Sequence, residues 1–271
     1  MSPDELLKVF GLEKRFGGLT AVNGVSFSVV AGRIKAIIGP NGAGKTTLFN
    51  LLSGVLAADR GVISLRGTDI TGWRPHAIAA AGLARTFQIM RLFGGMTVLE
   101  NVMVGCHLHS GAGMLAAALR PPSVWKEEKN TAARARGVLE EIGLAARAGD
   151  PALSLPLGQQ RMLEIARALA SAPALLLLDE PGAGLSRRER QDLVRLIIRV
   201  RDRGVTILLV EHDMNLVMDI SDEVMVLDYG RKIAEGSPRA VQNNERVVAA
   251  YLGEEVASGP SPGTGPVQTG G

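Results

Sequence analysis

The sequence predicts an α/β fold, and three stretches carry the prediction. Residues 34–47 form a short apolar run, a glycine-rich loop and the start of a helical pattern. Residues 174–178 and 205–210 are apolar without alternation, which is typical of strands whose two sheet faces are both covered. Between them, residues 187–201 have the charged, amphipathic pattern of a surface helix. Strands and helices therefore alternate along the chain, as in an α/β core.

The glycine-rich loop fits the pattern G-x-x-x-x-G-K-[ST], with Gly39, Gly44, Lys45 and Thr46 at the required spacing. Backbone N–H groups of such a loop point inward and bind anions, and the positive end of the following helix adds to the effect. Lys45 supplies a full charge for the β- and γ-phosphates, and the Thr46 hydroxyl is a ligand for Mg²⁺. We therefore predict that the chain binds a nucleoside triphosphate. The predicted phosphate-binding residues are Gly39, Pro40, Asn41, Gly42, Ala43, Gly44, Lys45, Thr46 and Thr47.

Shorter patterns predict the other elements of the core. Residues 9–16 and 25–30 alternate as strands do, with Gly17-Gly18 between them. The helix after the phosphate loop is predicted over 45–52, because apolar residues recur there at helical spacing before Gly54. The other predicted elements are a strand at 61–65, a helix at 162–170, and a closing hairpin of 224–227 and 232–235.

The sequence from about residue 89 to 158 has helical patterns, which predict a helical insertion in this core. Thr97 reads as a helix N-cap with Glu100 three residues later. Residues 126–142 form an amphipathic helical pattern, and 115–122 read as a loop or broken helix that ends in two prolines. The tail from about residue 257 is rich in Gly, Pro and Ser, and we expect it to be disordered.

Length and composition set further bounds. The chain has 271 residues, 46% of them apolar, which suffices for one large α/β domain. Its 30 basic and 27 acidic residues leave a net charge of only +3, too small to indicate nucleic-acid binding. The single cysteine, Cys106, excludes an internal disulfide framework. No charge-free apolar run approaches the roughly eighteen residues that a membrane span needs. We expect a soluble chain, attached to a membrane at most through partners.

Carboxylates and a histidine follow the two apolar strands. Asp179 ends one strand and Glu180 follows it, so Asp179 is placed to support Mg²⁺ and Glu180 to polarise an attacking water. His212 follows the other strand, where its imidazole can hold the γ-phosphate and water. The alternatives are a solvated acidic turn and a structural histidine. The phosphate loop upstream favours the catalytic interpretation.

Two other patterns contain residue types typical of binding sites but do not have the spacing that such sites need. Cys106-His107-Leu108-His109 contains metal-binding residue types, but residues at i, i+1 and i+3 of a helix do not converge on one ion. Gly182 and Gly184 lack the third glycine of a dinucleotide-binding fingerprint. We therefore expect neither a metal site at 106–109 nor a Rossmann-type cofactor.

Five motifs, in this order, resemble an ATP-binding cassette (ABC) ATPase. They are the phosphate loop, Gln88, Leu155-Pro-Leu-Gly158-Gln159-Gln-Arg161, Asp179-Glu180 and His212. The resemblance covers about residues 6–253. It implies a P-loop NTPase fold, with a RecA-like core sheet, an antiparallel β-subdomain and the inserted α-helical subdomain, as one ATPase domain over 1–256.

Further motifs resemble one subfamily, the ATP-binding subunit of bacterial branched-chain amino acid importers. They are Arg15-Phe-Gly-Gly-Leu, Arg85-Thr-Phe-Gln, Arg91-Leu-Phe, Met96-Thr-Val-Leu-Glu-Asn, Leu163-Glu-Ile-Ala-Arg and Tyr251-Leu-Gly-Glu-Glu. Sister importers for urea and short amides share much of this pattern. The resemblance implies a peripheral ATPase on the cytoplasmic face of the bacterial inner membrane. Its implied partners are integral-membrane permeases, a second ATPase subunit (homo- or heterodimer) and, indirectly, a substrate-binding protein, with no nucleic acid.

The resemblance also implies residue roles. Phe16 would stack on adenine. Thr46, Gln88 and Asp179 would surround Mg²⁺, while Glu180 would be the general base and His212 the sensor of the γ-phosphate. The segment 88–96 would receive a permease helix. Residues of the signature motif would complete the ATP site of the second cassette in a two-nucleotide sandwich; they are Leu155, Pro156, Leu157, Gly158 and Gln159.

Two positions depart from the family pattern. Pro156 stands where the family usually has Ser, whose hydroxyl meets the opposing γ-phosphate. Pro is tolerated in a first helical turn, and we expect the N–H of Gly158 still to point outward. Ser186 stands where Asp or Asn is usual. We hypothesise an asymmetric dimer, in which this chain's own nucleotide residues are intact and its altered signature weakens the second cassette's site.

Two other function classes remain as alternatives. A cassette ATPase acting on chromosomes would have a long coiled coil between phosphate loop and signature, but Gly158 follows Lys45 by only 113 positions here. A ribosome-type member would carry two phosphate loops, and this chain has one. A regulatory subunit that binds ATP without turnover would not need Glu180 and His212. We predict an ATPase that drives import.

Overall fold

An antiparallel sheet is built from the first strands of the chain. The computed structural model describes residues 5–86, 92–106 and 122–257. Strand β1 (Glu5–Phe16) pairs with β2 (Leu19–Val30) and with β4 (Arg60–Leu65), and β5 (Thr68–Asp69) extends β4, in the order β2-β1-β4-β5. The buried residues of β1 are Leu7, Val9 and Leu12, so burial alternates at first and then shifts at an irregularity in the pairing with β2 between Val9 and Leu12.

The phosphate loop belongs to a second, six-stranded sheet. Its strands are β3 (Ile34–Ile38), β6 (Leu83–Arg85), β7 (Leu175–Asp179), β8 (Thr206–Val210), β9 (Glu223–Asp228) and β10 (Arg231–Gly236), in the order β10-β9-β3-β8-β7-β6. All neighbours are parallel except β9 and β10. This pair is the predicted closing hairpin, turning through Tyr229 and Gly230, which both have positive φ.

Helices cover this sheet and fill the connection between β6 and β7. They are α1 (Lys45–Leu52), α2 (Pro75–Ala80), α3 (Val98–Cys106), α4 (Pro122–Glu141), α5 (Leu157–Leu169), α6 (Arg187–Asp202), α7 (Met214–Ile220), α8 (Pro238–Gln242) and α9 (Glu245–Ala257). Between β6 and β7 the described residues form α3, α4, α5 and two short 3-10 turns, Ala145–Arg147 and Ala152–Ser154. Thr97 caps α3 together with Glu100, as predicted.

The parallel sheet separates two apolar cores. One lies between this sheet, the antiparallel sheet and helix α1, and includes Phe49 and Leu177. The other lies against helices on the opposite face and includes Leu176 and Leu209. Every residue of β3, β7 and β8 is buried. This explains why β7 and β8 are apolar without alternation.

A buried lysine fastens the two sheets together. The ammonium of Lys35 in β3 is 2% exposed and donates to the carbonyl of Ser28 in β2 at 2.7 Å. It also pairs with Glu223 of β9 at 2.9 Å and with Glu235 of β10. Three strands from two sheets therefore converge with β3 on one cation.

The predicted fold class is confirmed: the chain has an α/β core sheet, an antiparallel sheet and helices inserted in the core. The structure lengthens several predicted elements. Helix α5, predicted over 162–170, begins at Leu157 because Pro156 provides the extended N-cap residue. The boundaries of the ATPase domain and its insertion stay predictions. The predicted break at 115–122 lies almost wholly outside the described residues, as does most of the tail after 257.

Candidate nucleotide site

The phosphate loop connects β3 to α1, and two of its glycines have no space for a side chain. A Cβ on Gly39 would lie 2.0 Å from the carbonyl oxygen of Leu227, and one on Gly44 would lie 2.3 Å from that of Ala21. Both glycines have positive φ, which disfavours other residues. Helix α1 starts directly after Gly44 without a side-chain cap. Its first N–H groups are thus left without a side-chain acceptor and are available to an anion.

Lys45 is buried at the base of this loop. Its ammonium donates to the carbonyl oxygens of Gly39 at 2.6 Å and Pro40 at 2.8 Å. The side chain therefore curls back over the loop and holds a positive charge inside the ring of backbone groups. This is the arrangement that a polyphosphate requires.

A cavity of about 920 Å³ opens in front of the loop. Its wall includes Phe16, the loop residues 41–47, and Glu180. The Phe16 side chain is exposed at this wall, and the ammonium of Lys14 lies 5.6 Å from the ring centre. An aromatic face is thus available to a base on the same wall as the phosphate loop. The structure brings together Phe16, the loop and Glu180, as the sequence predicts.

Asp179 is buried at the end of β7 and is paired with an arginine that the sequence argument did not assign to the site. One carboxylate oxygen, Oδ2, accepts from Arg85 at 2.8 Å. Arg85 also donates to Asn50 of α1 at 2.7 Å and to Ser53, the C-cap residue of α1, at 2.9 Å. This bridge ties the end of β7 to the phosphate-loop helix. The other oxygen, Oδ1, is buried with no hydrogen-bond partner among the described residues.

The Oδ1 atom of Asp179 has no hydrogen-bond partner among the described residues, and it fits a divalent cation because Mg²⁺ prefers oxygen ligands. Asp179 and Thr46 are therefore suited to Mg²⁺ by their donor atoms and position. Gln88, the third predicted ligand, lies outside the described residues. Among the residues that the structure describes, no cluster of three or more His, Cys, Asp or Glu side chains could hold a metal by itself.

Glu180 and His212 come together, as predicted from their strand ends. The imidazole Nδ1 of His212 is 3.9 Å from a carboxylate oxygen of Glu180. Glu180 has a φ of 46°, in the left-handed region that is costly for a residue other than glycine. Strand β7 therefore ends in a sharp turn that presents Glu180 to the cavity. A carboxylate in that position is suited to orient and deprotonate water.

The signature residues 155–159 lie away from this chain's own cavity, at the start of α5. Our expectation that the Gly158 N–H points outward is wrong. Gly158 is buried, and its N–H donates to Oε1 of Glu189 at 3.0 Å. An anion from α6 thus occupies the start of α5, where N–H groups need acceptors. Pro156 contributes no side-chain cap there.

Glu189 owes its position to a capping box with Ser186. Its second oxygen, Oε2, accepts from the Ser186 N–H at 3.0 Å and the Ser186 hydroxyl at 2.7 Å. These bonds, together with the one from Gly158, hold the pKa of Glu189 below its ordinary value. Ser186 therefore acts as a helix N-cap, a role that Asp or Asn also fills. Although Ser186 departs from the family pattern, it keeps the N-cap role at the start of α6.

A second, mainly apolar cavity of about 400 Å³ lies beside the predicted permease surface. Of segment 88–96, the described part is 92–96, and Phe93 lines this cavity. Asn101 fixes Phe93 by accepting from its N–H at 2.9 Å and donating to its carbonyl at 3.1 Å. The guanidinium of Arg167 lies 5.4 Å from the ring centre. Exposed Val55, which follows α1, and Val104 of α3 line the same cavity.

The metal motif at 106–109 and the membrane span are two sequence interpretations that can be examined only within the described residues. Cys106 ends α3 as a buried thiol, whose pKa burial raises, whereas His107 and His109 lie outside the described residues. The structure therefore leaves the rejected metal motif untested. Within the described part of the chain, no helix is both long and apolar enough to cross a bilayer.

The fold and the site together define a phosphate-loop ATPase: a glycine loop at the edge of a parallel sheet, a buried lysine, and carboxylates at the neighbouring strand ends. The chain belongs to the ABC transporter family, whose model matches residues 22–183. A second family, described as branched-chain amino acid ATP-binding cassette transporter, matches residues 231–257. The recognition of this family from sequence motifs is confirmed.

Characterised relatives and solved structures resemble the whole folded chain. The high-affinity branched-chain amino acid transport ATP-binding protein BraF of Pseudomonas aeruginosa is 46% identical over 250 residues, covering 92% of this chain and 98% of BraF. LivG of Escherichia coli K12, with the same description, gives the same values. The ADP conformation of an ATP-binding cassette of an ABC transporter matches with 34% identity and a TM-score of 0.81, covering 92% of this chain and 99% of that one. A nucleotide-free cassette matches with a TM-score of 0.80 and 34% identity, covering 91% and 98%.

Proposed function

We propose that this chain hydrolyses ATP with Mg²⁺ to drive import of branched-chain amino acids through partner permeases. The observation that carries the proposal is the combination of an intact nucleotide site with 46% identity to BraF and LivG over nearly their whole length. The match of residues 231–257 to a branched-chain amino acid transporter family supports the substrate class. Strand β10 and helices α8 and α9 fall within that match.

In this proposal each group of the site has one task. The phosphate loop and Lys45 bind the β- and γ-phosphates, and Phe16 stacks on the adenine. Thr46, Asp179 and Gln88 hold Mg²⁺, which neutralises charge on the phosphates when bound. Glu180 takes a proton from the attacking water, and His212 beside it holds the γ-phosphate. Residues 155–159 contribute to the ATP site of a second cassette. ATP binding closes the two cassettes and hydrolysis reopens them, which gates the permease.

The apolar cavity beside Phe93 is the proposed docking groove for a cytoplasmic helix of the permease. It lies between α3 and the core, so that a helix seated there contacts both the inserted helices and the elements near the phosphate loop. Exposed Val55 and Phe93 supply apolar contacts, and Arg167 and Glu164 supply polar contacts at the wall. The proposed location is the cytoplasmic face of the bacterial inner membrane, reached through these contacts.

Co-purification from detergent-solubilised membranes tests this function. The tagged chain is expected to recover two polytopic permeases and a second cassette, identified by mass spectrometry. Val55→Arg should abolish recovery of the permeases because it places a charge in the groove. Val62→Arg is the matched control, since Val62 is 44% exposed on the antiparallel sheet and Val55 is 49% exposed. Recovery of ribosomes or DNA, or of no membrane protein, would contradict the transporter proposal.

Uptake by the purified complex in proteoliposomes then identifies the substrate. Leucine, isoleucine and valine are expected to be imported with ATP on the cassette side and with the cognate binding protein on the other. Urea and short amides are the alternative substrates that the sequence leaves open. Import of urea or amides without leucine-type amino acids would retain the ATPase function and overturn the substrate class.

A further inference from the structure

A buried carboxylate lies next to the pair of Glu180 and His212 and hydrogen-bonds to both of their loops. Glu211, the residue after β8, is 1% exposed. Its Oε1 accepts from the N–H of Gly182 at 2.7 Å. Its Oε2 accepts from the N–H of His212 at 3.1 Å and, more weakly, from that of Asp213 at 3.4 Å. A carboxylate is costly to bury, and these backbone groups compensate it with hydrogen bonds.

The donors of Glu211 belong to the two loops that carry the catalytic pair. Gly182 lies two residues after Glu180, in the loop that leaves β7. His212 follows Glu211 directly in the loop after β8. One carboxylate therefore uses a different oxygen for each loop and fixes their separation. The same Oε2 is 3.8 Å from Nδ1 of His212, so the carboxylate also faces the imidazole.

The packing around Glu211 is close. A Cβ on Gly182 would lie 2.7 Å from Oε1 of Glu211, closer than real Cβ atoms approach other heavy atoms. The φ of Gly182 is not in the left-handed region, so space rather than backbone conformation requires glycine here. Because Gly182 has no side chain, its N–H can approach the Glu211 carboxylate to hydrogen-bond distance.

We propose that Glu211 is a positioning residue for ATP hydrolysis: it holds the Glu180 loop and the His212 loop at the separation that keeps base and imidazole together. The proposal rests on the proposed roles of Glu180 and His212. Glu211 acts through backbone hydrogen bonds and contacts no phosphate. Because both of its oxygens are used, an amide cannot replace it. In Glu211→Gln one loop would meet an NH₂ group where it needs an acceptor.

Steady-state ATPase of the complex purified from membranes tests the proposal. Glu211→Gln is expected to lower kcat by about 10- to 100-fold, while KM for ATP and the affinity for a fluorescent ATP analogue stay within about twofold. Glu100→Gln is the matched control, because Glu100 also accepts a backbone N–H, from Thr97 at 2.7 Å, in a capping box away from the site. An unchanged kcat in Glu211→Gln, or an equal loss of kcat and nucleotide affinity, would overturn the positioning role.

A second variant applies if Glu211→Gln does not fold. Gly182→Ala pushes a methyl group against Oε1 and should give the same selective loss of kcat. Its control is Gly137→Ala, because a Cβ at Gly137 on α4 meets nothing within 4 Å. Wild-type kcat in Gly182→Ala would contradict the proposal.

Glu180→Gln separates failure of this inference from failure of the proposed function. If Glu180→Gln abolishes turnover and Glu211→Gln does not affect it, only the positioning role is wrong. If Glu180→Gln retains turnover, the assignment of the base is wrong and the inference fails with it. In the double variant, Glu211→Gln should cause a smaller further loss than in the wild type, because part of its effect acts through a base already removed. A further loss of the same size would indicate an independent effect and contradict the proposal.

Discussion

The N–H of Gly158 donates to the carboxylate of Glu189 at 3.0 Å, so the first turn of the signature helix binds an anion supplied by its own chain. In the proposed dimer, the γ-phosphate bound by the second cassette would need the same N–H group. Two anions cannot share it. Closure around ATP therefore requires the Glu189 side chain to leave Gly158, although its bonds to Ser186 can persist.

Removing this carboxylate should strengthen ATP-dependent association of the cassettes. In complexes carrying Glu180→Gln, so that ATP is not consumed, we expect Glu189→Ala to lower the ATP concentration for half-maximal closure by about five- to tenfold. The reason is the loss of a like charge beside the incoming phosphate. Closure can be followed by fluorescence energy transfer between labelled cassettes.

Ser186→Ala is the control for this experiment. It removes the hydroxyl of the capping box but leaves the contact between Glu189 and Gly158 available. Both variants should lower the melting temperature through loss of the cap, but only Glu189→Ala should shift the ATP dependence. An equal shift in the two variants would attribute the effect to the helix cap instead.

Replacement of the proposed base should separate binding from turnover. Glu180→Gln is expected to retain ATP binding and to lower turnover by about 10²–10⁴-fold, because the amide cannot take a proton from water. Binding is measured with a fluorescent ATP analogue, and turnover by phosphate release from the complex. Wild-type turnover in this variant would refute the assignment of Glu180.

The hypothesis of an asymmetric dimer predicts a gain of activity at position 156. Pro156→Ser should raise steady-state ATPase of the complex several-fold, because it places a hydroxyl at the N-cap of α5 that can hydrogen-bond to the γ-phosphate of the ATP bound by the second cassette. A hydrogen bond to a charged group contributes about 1.5–3 kcal/mol where nothing replaces it. Pro151→Ser is the control, since Pro151 also precedes a short helix, Ala152–Ser154, as its N-cap residue. No gain in Pro156→Ser would count against the asymmetry.

The cluster around Lys35 predicts how stability depends on pH. Burial raises the pKa of Glu235, but hydrogen bonds from Lys232 and Lys35 outweigh it, so the folded pKa lies below the ordinary 4.5. A carboxyl group whose pKa is lower in the folded state than in the unfolded state stabilises the fold at pH values above its unfolded pKa. This contribution is lost as the pH falls through the folded pKa. Glu235→Gln should therefore destabilise the chain at pH 7, and its deficit should shrink as the pH falls below the unfolded pKa.

Chemical denaturation at several pH values measures this effect. Exposed Glu140 on α4 serves for comparison, because Glu140→Gln removes a carboxylate from the surface. The stability difference between wild type and Glu140→Gln should be small at every pH. A deficit of Glu235→Gln that persisted undiminished at pH 3 would contradict the role assigned to its ionised form.

Local patterns predicted the nucleotide loop in detail, because glycine spacing dictates backbone conformation directly. The helix over 45–52 and the strands that end at Asp179 and Val210 were also predictable from local patterns. The helix has apolar residues at helical spacing, and the two strands are buried on both faces, so that their consecutive residues are apolar. Short elements such as α2 and β6, of six and three residues, leave too few positions for a period to be recognised.

Contacts between distant segments were not predictable in this way. Arg85 meets Asp179 across 94 residues, and neither sequence pattern indicates the other. The wrong expectation for Gly158 has the same origin, since its acceptor comes from 31 residues further on. The Ser186-x-x-Glu189 spacing did carry a signal for a capping box, but nothing local indicated that the carboxylate would reach a second helix.

The position of β3 at the centre of its sheet has a consequence for synthesis on the ribosome. Ile34 pairs with Ile207 of β8 on one side, and Lys35 pairs with Glu223 of β9 on the other. The strand that supports the phosphate loop thus emerges early but finds both neighbours only after most of the chain has been translated. Until then its apolar edges stay exposed, and such long-range pairing slows folding. The strand that precedes the phosphate loop therefore gains both of its neighbours only when residues up to β9 are available to pair with it.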